Sequence, residues 1–170
     1  MGELDSLYLV ERIGEKLKEC GQKLFIIETA AGGLISASLV SCPGASEWYE
    51  GGVIPYSNIA KTKFTGVTAG DLEMHGAVNK DIAGLMAFWS REDMPHCVTF
   101  AETSLSYKRP GARSVKEPGL SYMAVASAYN KLVTKSFQFS GDRYAIMQEI
   151  TEQALLFIAE EIGAVEKGNK

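Results

Sequence analysis

Histidine and cysteine are scarce in this chain. Its 170 residues include two histidines, His75 and His96, and three cysteines, Cys20, Cys42 and Cys97. Three widely spaced thiols make no disulfide framework and no zinc cluster. Each histidine has at most one acid near it in sequence, so no metal site is expected. Cys97 falls in a buried-looking strand with only His96 at hand to activate it, and it reads as an inert core thiol. No apolar run approaches membrane-spanning length, so no membrane partner is expected. Basic charge is not in excess. Lys and Arg total 17 against 21 Asp and Glu, a net charge of −4, and a nucleic-acid partner is therefore not expected. The first twenty residues are charged throughout (Glu3, Asp5, Glu11, Arg12, Glu15, Lys16), unlike a secretory signal, and a cytoplasmic protein is the expectation. Repeats, low-complexity segments and linkers are also lacking.

Apolar residues make up 46% and charged residues 22%, ordinary values for a globular chain. The length fits one domain over residues 1–170, with a polar tail from about residue 164. Leu7, Val10, Ile13 and Leu17 recur at helical spacing over residues 4–20, and Gly21 is a natural stop. Residues 23–27 (KLFII) form a short apolar run typical of a strand covered on both faces. A turn at 28–33 leads into a helix over 34–40. A second strand is predicted over 52–56, where Pro55 removes a ladder donor and implies an edge or a bulge. Short helices are predicted over 58–64 and 71–75. Asn79 is a credible N-cap for a longer helix with a core stripe of Ile82, Leu85, Met86 and Trp89. Strands follow over 97–101, 122–126 and 132–139, the last two as a hairpin through Tyr129-Asn130, and a helix runs over 142–162. The order α-β-α-β-α-α-β-loop-β-β-α fits an α/β layered sandwich with a mostly parallel sheet.

Residues 43–61, PGASEWYEGGVIPYSNIAK, gather a hydroxyl (Ser46), a phenol (Tyr56) and an amine (Lys61) among glycines that permit close backbone approach. A serine becomes a nucleophile when a base takes its proton; a lysine can be that base if burial lowers its pKa, and a phenol can relay the proton. The same residues read structurally as a helix cap, a packed tyrosine and a solvated lysine. Gly32-Gly33 at a helix start can present amides to a phosphate, or can serve tight strand–helix packing. Glu28 is either a polar group at the sheet's carboxyl edge or a cap on the next helix. Arg143 is either a bidentate phosphate anchor or one half of a salt bridge.

Taken together, these motifs resemble those of the CinA C-terminal domain family. The family pattern A-E-S-x-T-G-G reads here Ile27-Glu28-Thr29-Ala30-Ala31-Gly32-Gly33. P-G-A-S is Pro43-Gly44-Ala45-Ser46. G-G-x-x-x-Y-S-N-x-x-K runs from Gly51-Gly52 through Tyr56-Ser57-Asn58 to Lys61. Gly66-Val67, His75-Gly76-Ala77-Val78 and Gly141-Asp142-Arg143 also match, in order and over nearly the whole chain. The resemblance implies a three-layer α/β/α sandwich with a mixed sheet, a homo-oligomer, and nicotinamide-nucleotide amidase activity on a small-molecule nucleotide, with no cofactor. It implies catalytic roles for Ser46, Tyr56 and Lys61. The expected substrate-binding set is Glu28, Thr29, Gly32, Gly33, Gly52, Asn58, Thr103 and Arg143. Three features depart from the pattern. Thr29 and Ala31 replace a serine and a threonine. Ala101-Glu102-Thr103-Ser104-Leu105-Ser106 stands where the glycine-rich T-G-I-A-G-P loop would be, opening a loop over 103–118 with Lys108, Arg109, Arg113 and Lys116 against Glu117. Met147 replaces an arginine. The loop is either a remade phosphate clamp or a solvated face. The alternative function is a family member altered in catalysis that binds a nucleotide or a protein partner.

Overall fold

A computed structural model describes residues 3–107, 116–127 and 131–168. Eleven elements follow in order: α1 (Glu3–Glu19), β1 (Lys23–Ile27), α2 (Leu34–Val40), β2 (Tyr49–Val53), α3 (Asn58–Phe64), α4 (Ala69–His75), α5 (Lys80–Asp93), β3 (Cys97–Ser104), β4 (Leu120–Ser127), β5 (Lys131–Gln138) and α6 (Arg143–Ile162). A single 3-10 turn, Ala45–Glu47, precedes β2.

The strands form one sheet in the order β2-β1-β3-β4-β5. β1 pairs in parallel with both β2 and β3, while β3–β4 and β4–β5 are antiparallel. The sheet is therefore mixed, not mostly parallel as expected: only the βαβ crossovers on either side of β1 demand parallel pairing, and the chain after β3 turns back on itself. Side-chain alternation divides the core between the two faces. Leu24, Ile26, Val98, Phe100, Met123 and Val125 pack with α1, α2 and α6, whereas Ile27, Ala101, Ala124 and Ala126 pack with α4 and α5. Period-two strands between two helical layers produce the three-layer sandwich. Trp48 is 1% exposed, and a Cβ on Gly14 would lie 2.6 Å from its indole nitrogen. Gly14 thus lets α1 close over an aromatic whose burial contributes roughly 2–3 kcal/mol.

Several elements depart from the sequence reading. The second strand is Tyr49–Val53 and stops short of Pro55. Its last rung is Glu28 N–H donating to the Val53 carbonyl; beyond that the chain bends to bring two carbonyls onto Lys61. β2 does lie at the sheet edge, where a nearby proline is tolerated. The three helices read between the second and third strands are all present, with α4 beginning at Ala69, two residues earlier than expected. β3 extends to Ser104 because its polar end finds buried partners. Trp89 is 44% exposed and leaves the core stripe of α5. Ala164 is buried and Val165 packs beside it, so the polar tail begins at Glu166. The hairpin turn at Tyr129-Asn130 and the basic residues Lys108, Arg109 and Arg113 lie outside the described residues.

Candidate functional site

β1 lies between β2 and β3. Chain leaving it crosses one face of the sheet through α2 to reach β2, and the return to β3 crosses the other face through α5. Strand order reverses here, and open α/β sheets place their ligand crevice beyond the carboxyl ends of the strands at such a point. A cavity of about 230 Å³ occupies that position. Its wall includes Thr29 after β1, Thr103 and Ser104 at the end of β3, Tyr56, Asn58 and Lys61 from the β2–α3 segment, and Arg143 at the start of α6.

The turn between β1 and α2 is held by two buried glutamates. Glu28 is completely buried. One of its oxygens accepts from Gly33 N–H (2.8 Å) and Ile35 N–H (3.1 Å), and the other from Ser36 N–H (2.8 Å) and Ser36 Oγ (2.5 Å). Tyr49 Oη donates in turn to Ser36 Oγ at 2.7 Å. Glu28 is thus the cap of α2, a carboxylate satisfying the orphan amides of a helix start. Gly33, at φ 105°, adopts a conformation that a side chain would strain, and it aims its N–H at this carboxylate. Of the two roles the sequence left open for Glu28, this geometry is the helix cap, and its carboxylate engages the amides of Gly33, Ile35 and Ser36. The second glutamate, Glu102, is also fully buried. Oε1 accepts from Thr29 N–H (2.6 Å) and Ala31 N–H (2.9 Å), and Oε2 from Ser104 Oγ (2.8 Å). Burial drives its pKa above the ordinary carboxylate range, and the nearby Glu28 adds to this, against the pull of its donors.

Lys61 enters the cavity from α3. Ser57 caps that helix by accepting Ala60 N–H, and Lys61 is 3% exposed. Its Nζ donates to the carbonyls of Pro55 (3.1 Å) and Tyr56 (3.3 Å), so one of three ammonium hydrogens has neither carbonyl as partner. Desolvation pushes the amine below the usual lysine range, partly offset by Glu102. Arg143 donates to Tyr56 Oη at 2.8 Å, while Asp142 caps α6 through Tyr144 and Ala145 N–H. Arg143 therefore pairs across the cavity mouth with the phenol, not with Asp142. Thr103 Oγ1 donates to the Ala77 carbonyl at 2.7 Å and fixes the segment after α4.

The cavity brings together Thr29, Tyr56, Asn58, Lys61, Thr103 and Arg143 from the expected set. It does not include Ser46 or Gly52. Ser46 sits exposed on the turn before β2, at the amino end of the strand whose carboxyl end points to the cavity. Five strand residues lie between, about 16 Å of sheet at ~3.3 Å each, so Ser46 does not join Tyr56 and Lys61 within one chain. Gly52 serves packing: a Cβ there would lie 2.7 Å from the Ile26 carbonyl oxygen. Among the described residues, Glu50, His96 and Cys97 bring ligand atoms within 4.8 Å of one another. Glu50 joins the adjacent His96 and Cys97 only through the pairing of the strands. Lys23 Nζ is already 2.9 Å from the Glu50 oxygen that His96 approaches at 3.6 Å, and a cation would compete with that ammonium. Burial pushes the Cys97 thiol up to about 11, in keeping with an inert core group. Glu102 and Ser104 are the site residues that sequence reasoning quoted without singling out. Their spacing of two on a strand was the available signal, because it puts both on one face.

A desolvated amine and a phenol–guanidinium pair thus stand at the switch point of a three-layer α/β/α sandwich, which makes this cavity the candidate site. No helix among the described residues is long and apolar enough to cross a membrane. The chain belongs to the CinA C-terminal domain family, whose model matches residues 7–162. It is 35% identical over 152 residues to a CinA-like protein of Solibacter usitatus, covering 89% of this chain and 35% of that protein. The chain thus spans about a third of the longer CinA-like relatives. It is 30% identical over 156 residues to the nicotinamide-nucleotide amidohydrolase PncC of Escherichia coli, covering 91% of this chain and 93% of that one. Among solved structures, a competence/damage-inducible protein from Agrobacterium tumefaciens superposes with a TM-score of 0.86 at 24% identity, covering 94% of this chain and 96% of that one. One from Enterobacter asburiae gives 0.85 at 22% identity, covering 92% and 98%. These structures share the fold.

Proposed function

We propose that the chain is a cytoplasmic amidohydrolase that removes the carboxamide nitrogen of a nicotinamide nucleotide as ammonia, acting as a homo-oligomer and without a cofactor. The observation that carries this reading is Lys61: a buried amine with a lowered pKa, walled into the switch-point cavity with hydroxyl groups around it. Amide hydrolysis needs a nucleophile, a proton acceptor and a donor for the oxygen on which charge develops. Lys61 Nζ supplies the donor or, deprotonated, the acceptor. Arg143 and Tyr56 at the mouth suit a phosphate, since a guanidinium that gives one N–H to a phenol keeps others for phosphate oxygens. Asn58, Thr29 and Thr103 offer polar contacts to the ring and ribose. The likeness to PncC over nearly the whole of both chains supports the substrate class.

A second reading, nucleotide binding without hydrolysis, is favoured by one observation. The amides of Thr29 and Ala31, which would otherwise be free to stabilise an oxyanion, are held by Glu102. Purified protein incubated with nicotinamide mononucleotide and assayed for ammonia separates the two readings. Turnover that is lost in Lys61→Met supports the amidohydrolase. Thermal stabilisation by the nucleotide without ammonia supports the binder.

A further inference from the structure

With Ser46 at the far end of β2, the cavity needs a nucleophile of its own, and the rewritten end of β3 contains one. Glu102 and Ser104 stand two residues apart on an extended strand and share a face. Ser121 is directly opposite Ser104 in the antiparallel β3–β4 register. Ser104 Oγ is 2.8 Å from Glu102 Oε2 and 2.5 Å from Ser121 Oγ. Ser121 is fully buried, whereas Ser104 is half-buried and lines the cavity. The other carboxylate oxygen is pinned by two backbone amides, which fixes the plane of the carboxyl group and turns Oε2 toward Ser104. Thr29 Oγ1 is the alternative, but it lies 3.5 Å from the same oxygen and is a hindered secondary alcohol.

We propose that Ser104 is the nucleophile of this site, that Glu102 takes its proton, and that Ser121 directs the hydroxyl. This rests on the reading of the cavity as an amide-hydrolysing site. Ser104 Oγ bonds to the carboxamide carbon as its proton passes to Glu102 Oε2. The tetrahedral adduct then collapses, the C–N bond breaks, and that proton leaves with the nitrogen as ammonia. Water next adds to the ester and gives its proton to Glu102. The acid departs and Ser104 recovers its hydrogen from Glu102. The charged groups facing Glu102 are Glu28 from the end of β1 and Lys61 from α3. Burial first, and Glu28 after it, raise the pKa of Glu102, and a carboxylate whose pKa is raised holds a proton more strongly than an ordinary one. In the family's T-G-I-A-G-P loop a glycine stands at the position of Glu102 and an alanine at that of Ser104, so neither the carboxylate nor the hydroxyl is present there.

The test acylates the full chain with p-nitrophenyl acetate, follows nitrophenol release, and locates the adduct by peptide mass spectrometry. The expected adduct is on Ser104. Ser104→Ala removes it, and Glu102→Gln, which keeps an oxygen for the Thr29 and Ala31 amides, slows acylation about 100-fold or more and abolishes its acid limb in the pH profile. Glu102→Asp recovers part of the rate. An adduct on Thr29, Lys61 or Ser46, or a Glu102→Gln rate within threefold of the parent, overturns the assignment. Should Glu102→Gln not fold, undiminished acylation of Ser104→Ala overturns it equally. A Ser104 adduct without ammonia release from nicotinamide mononucleotide rejects the amidase reading and keeps the dyad. Ammonia release unaffected by Ser104→Ala rejects the dyad and keeps the amidase.

Discussion

Glu28→Ala should be among the most damaging single substitutions in this chain, for a reason unconnected with chemistry on a substrate. The side chain satisfies three backbone amides (Gly33, Ile35, Ser36) and one hydroxyl at the start of α2. α2 itself is only seven residues long and cannot persist on propensity alone. Each buried amide left without a partner costs about 1–3 kcal/mol. Three at the lower half of that range lose about 4 kcal/mol, a large share of the 5–15 kcal/mol typical of a domain. Glu28→Gln keeps an acceptor for one pair of donors and turns an NH2 group toward the other pair, so about half the loss is expected. In urea, with a slope of about 2 kcal/mol/M, the midpoint should fall by about 2 M for alanine and about 1 M for glutamine. Circular dichroism during a urea titration measures this directly. A midpoint within about 0.5 M of the parent in Glu28→Ala would refute the capping argument. If Glu28→Gln instead raised KM while leaving the midpoint in place, Glu28 would return to the substrate.

Other expectations follow from the same geometry. Glu102 has a folded pKa above its unfolded value, so its contribution is fully present at low pH and is lost as pH rises through the folded value; Glu102→Gln should flatten that decline in thermal melts run from acid to neutral pH, and an unchanged slope contradicts it. Lys61 is shifted the other way. The unfolded state binds its proton more readily, so stability rises with pH between the folded and ordinary lysine values, and Lys61→Met should remove this rise in melts above neutrality. Gly52→Ala forces a methyl against the Ile26 carbonyl at 2.7 Å and should destabilise by about 1–3 kcal/mol with KM unchanged; a melting temperature equal to the parent's would show that β2 yields. Ser46→Ala should alter ammonia release less than threefold. Its abolition would place the attacking hydroxyl on a second copy of the chain.

The helices and the apolar strands were legible because periodicity records which face is covered. α2, α3 and α5 begin and end at or near the expected residues, and Asn79 caps α5 by accepting Asp81 N–H. The carboxyl end of β3 was not legible. Glu102, Thr103 and Ser104 look like the onset of a loop, since three polar residues in a row do not advertise burial. What buries Glu102 is a pair of amides 73 and 71 residues away in the chain, and no local pattern encodes such a partner. The role of Glu28 was open for a different reason. Cap and ligand both call for a carboxylate at a strand's end, and only the positions of the α2 amides decide between them. The motif 43–61 misled by its brevity: nineteen residues of sequence span the full height of the sheet, so Ser46 and Lys61 are neighbours on paper and lie at opposite ends of β2 in space.

The two margins of the sheet are unlike. β5 carries Lys131 and Lys135, which reach toward Glu160 and Glu161 of α6, a charged border of the kind that discourages strand addition. β2 carries Gly51 and Gly52 and is followed by the exposed Ile54. A sheet guarded on one margin and bare on the other has a single valence for strand pairing. A strand added to this sheet would meet open backbone at β2 and a lysine border at β5. Stacking into a fibre needs two open margins, and the lysines of β5 close one of them.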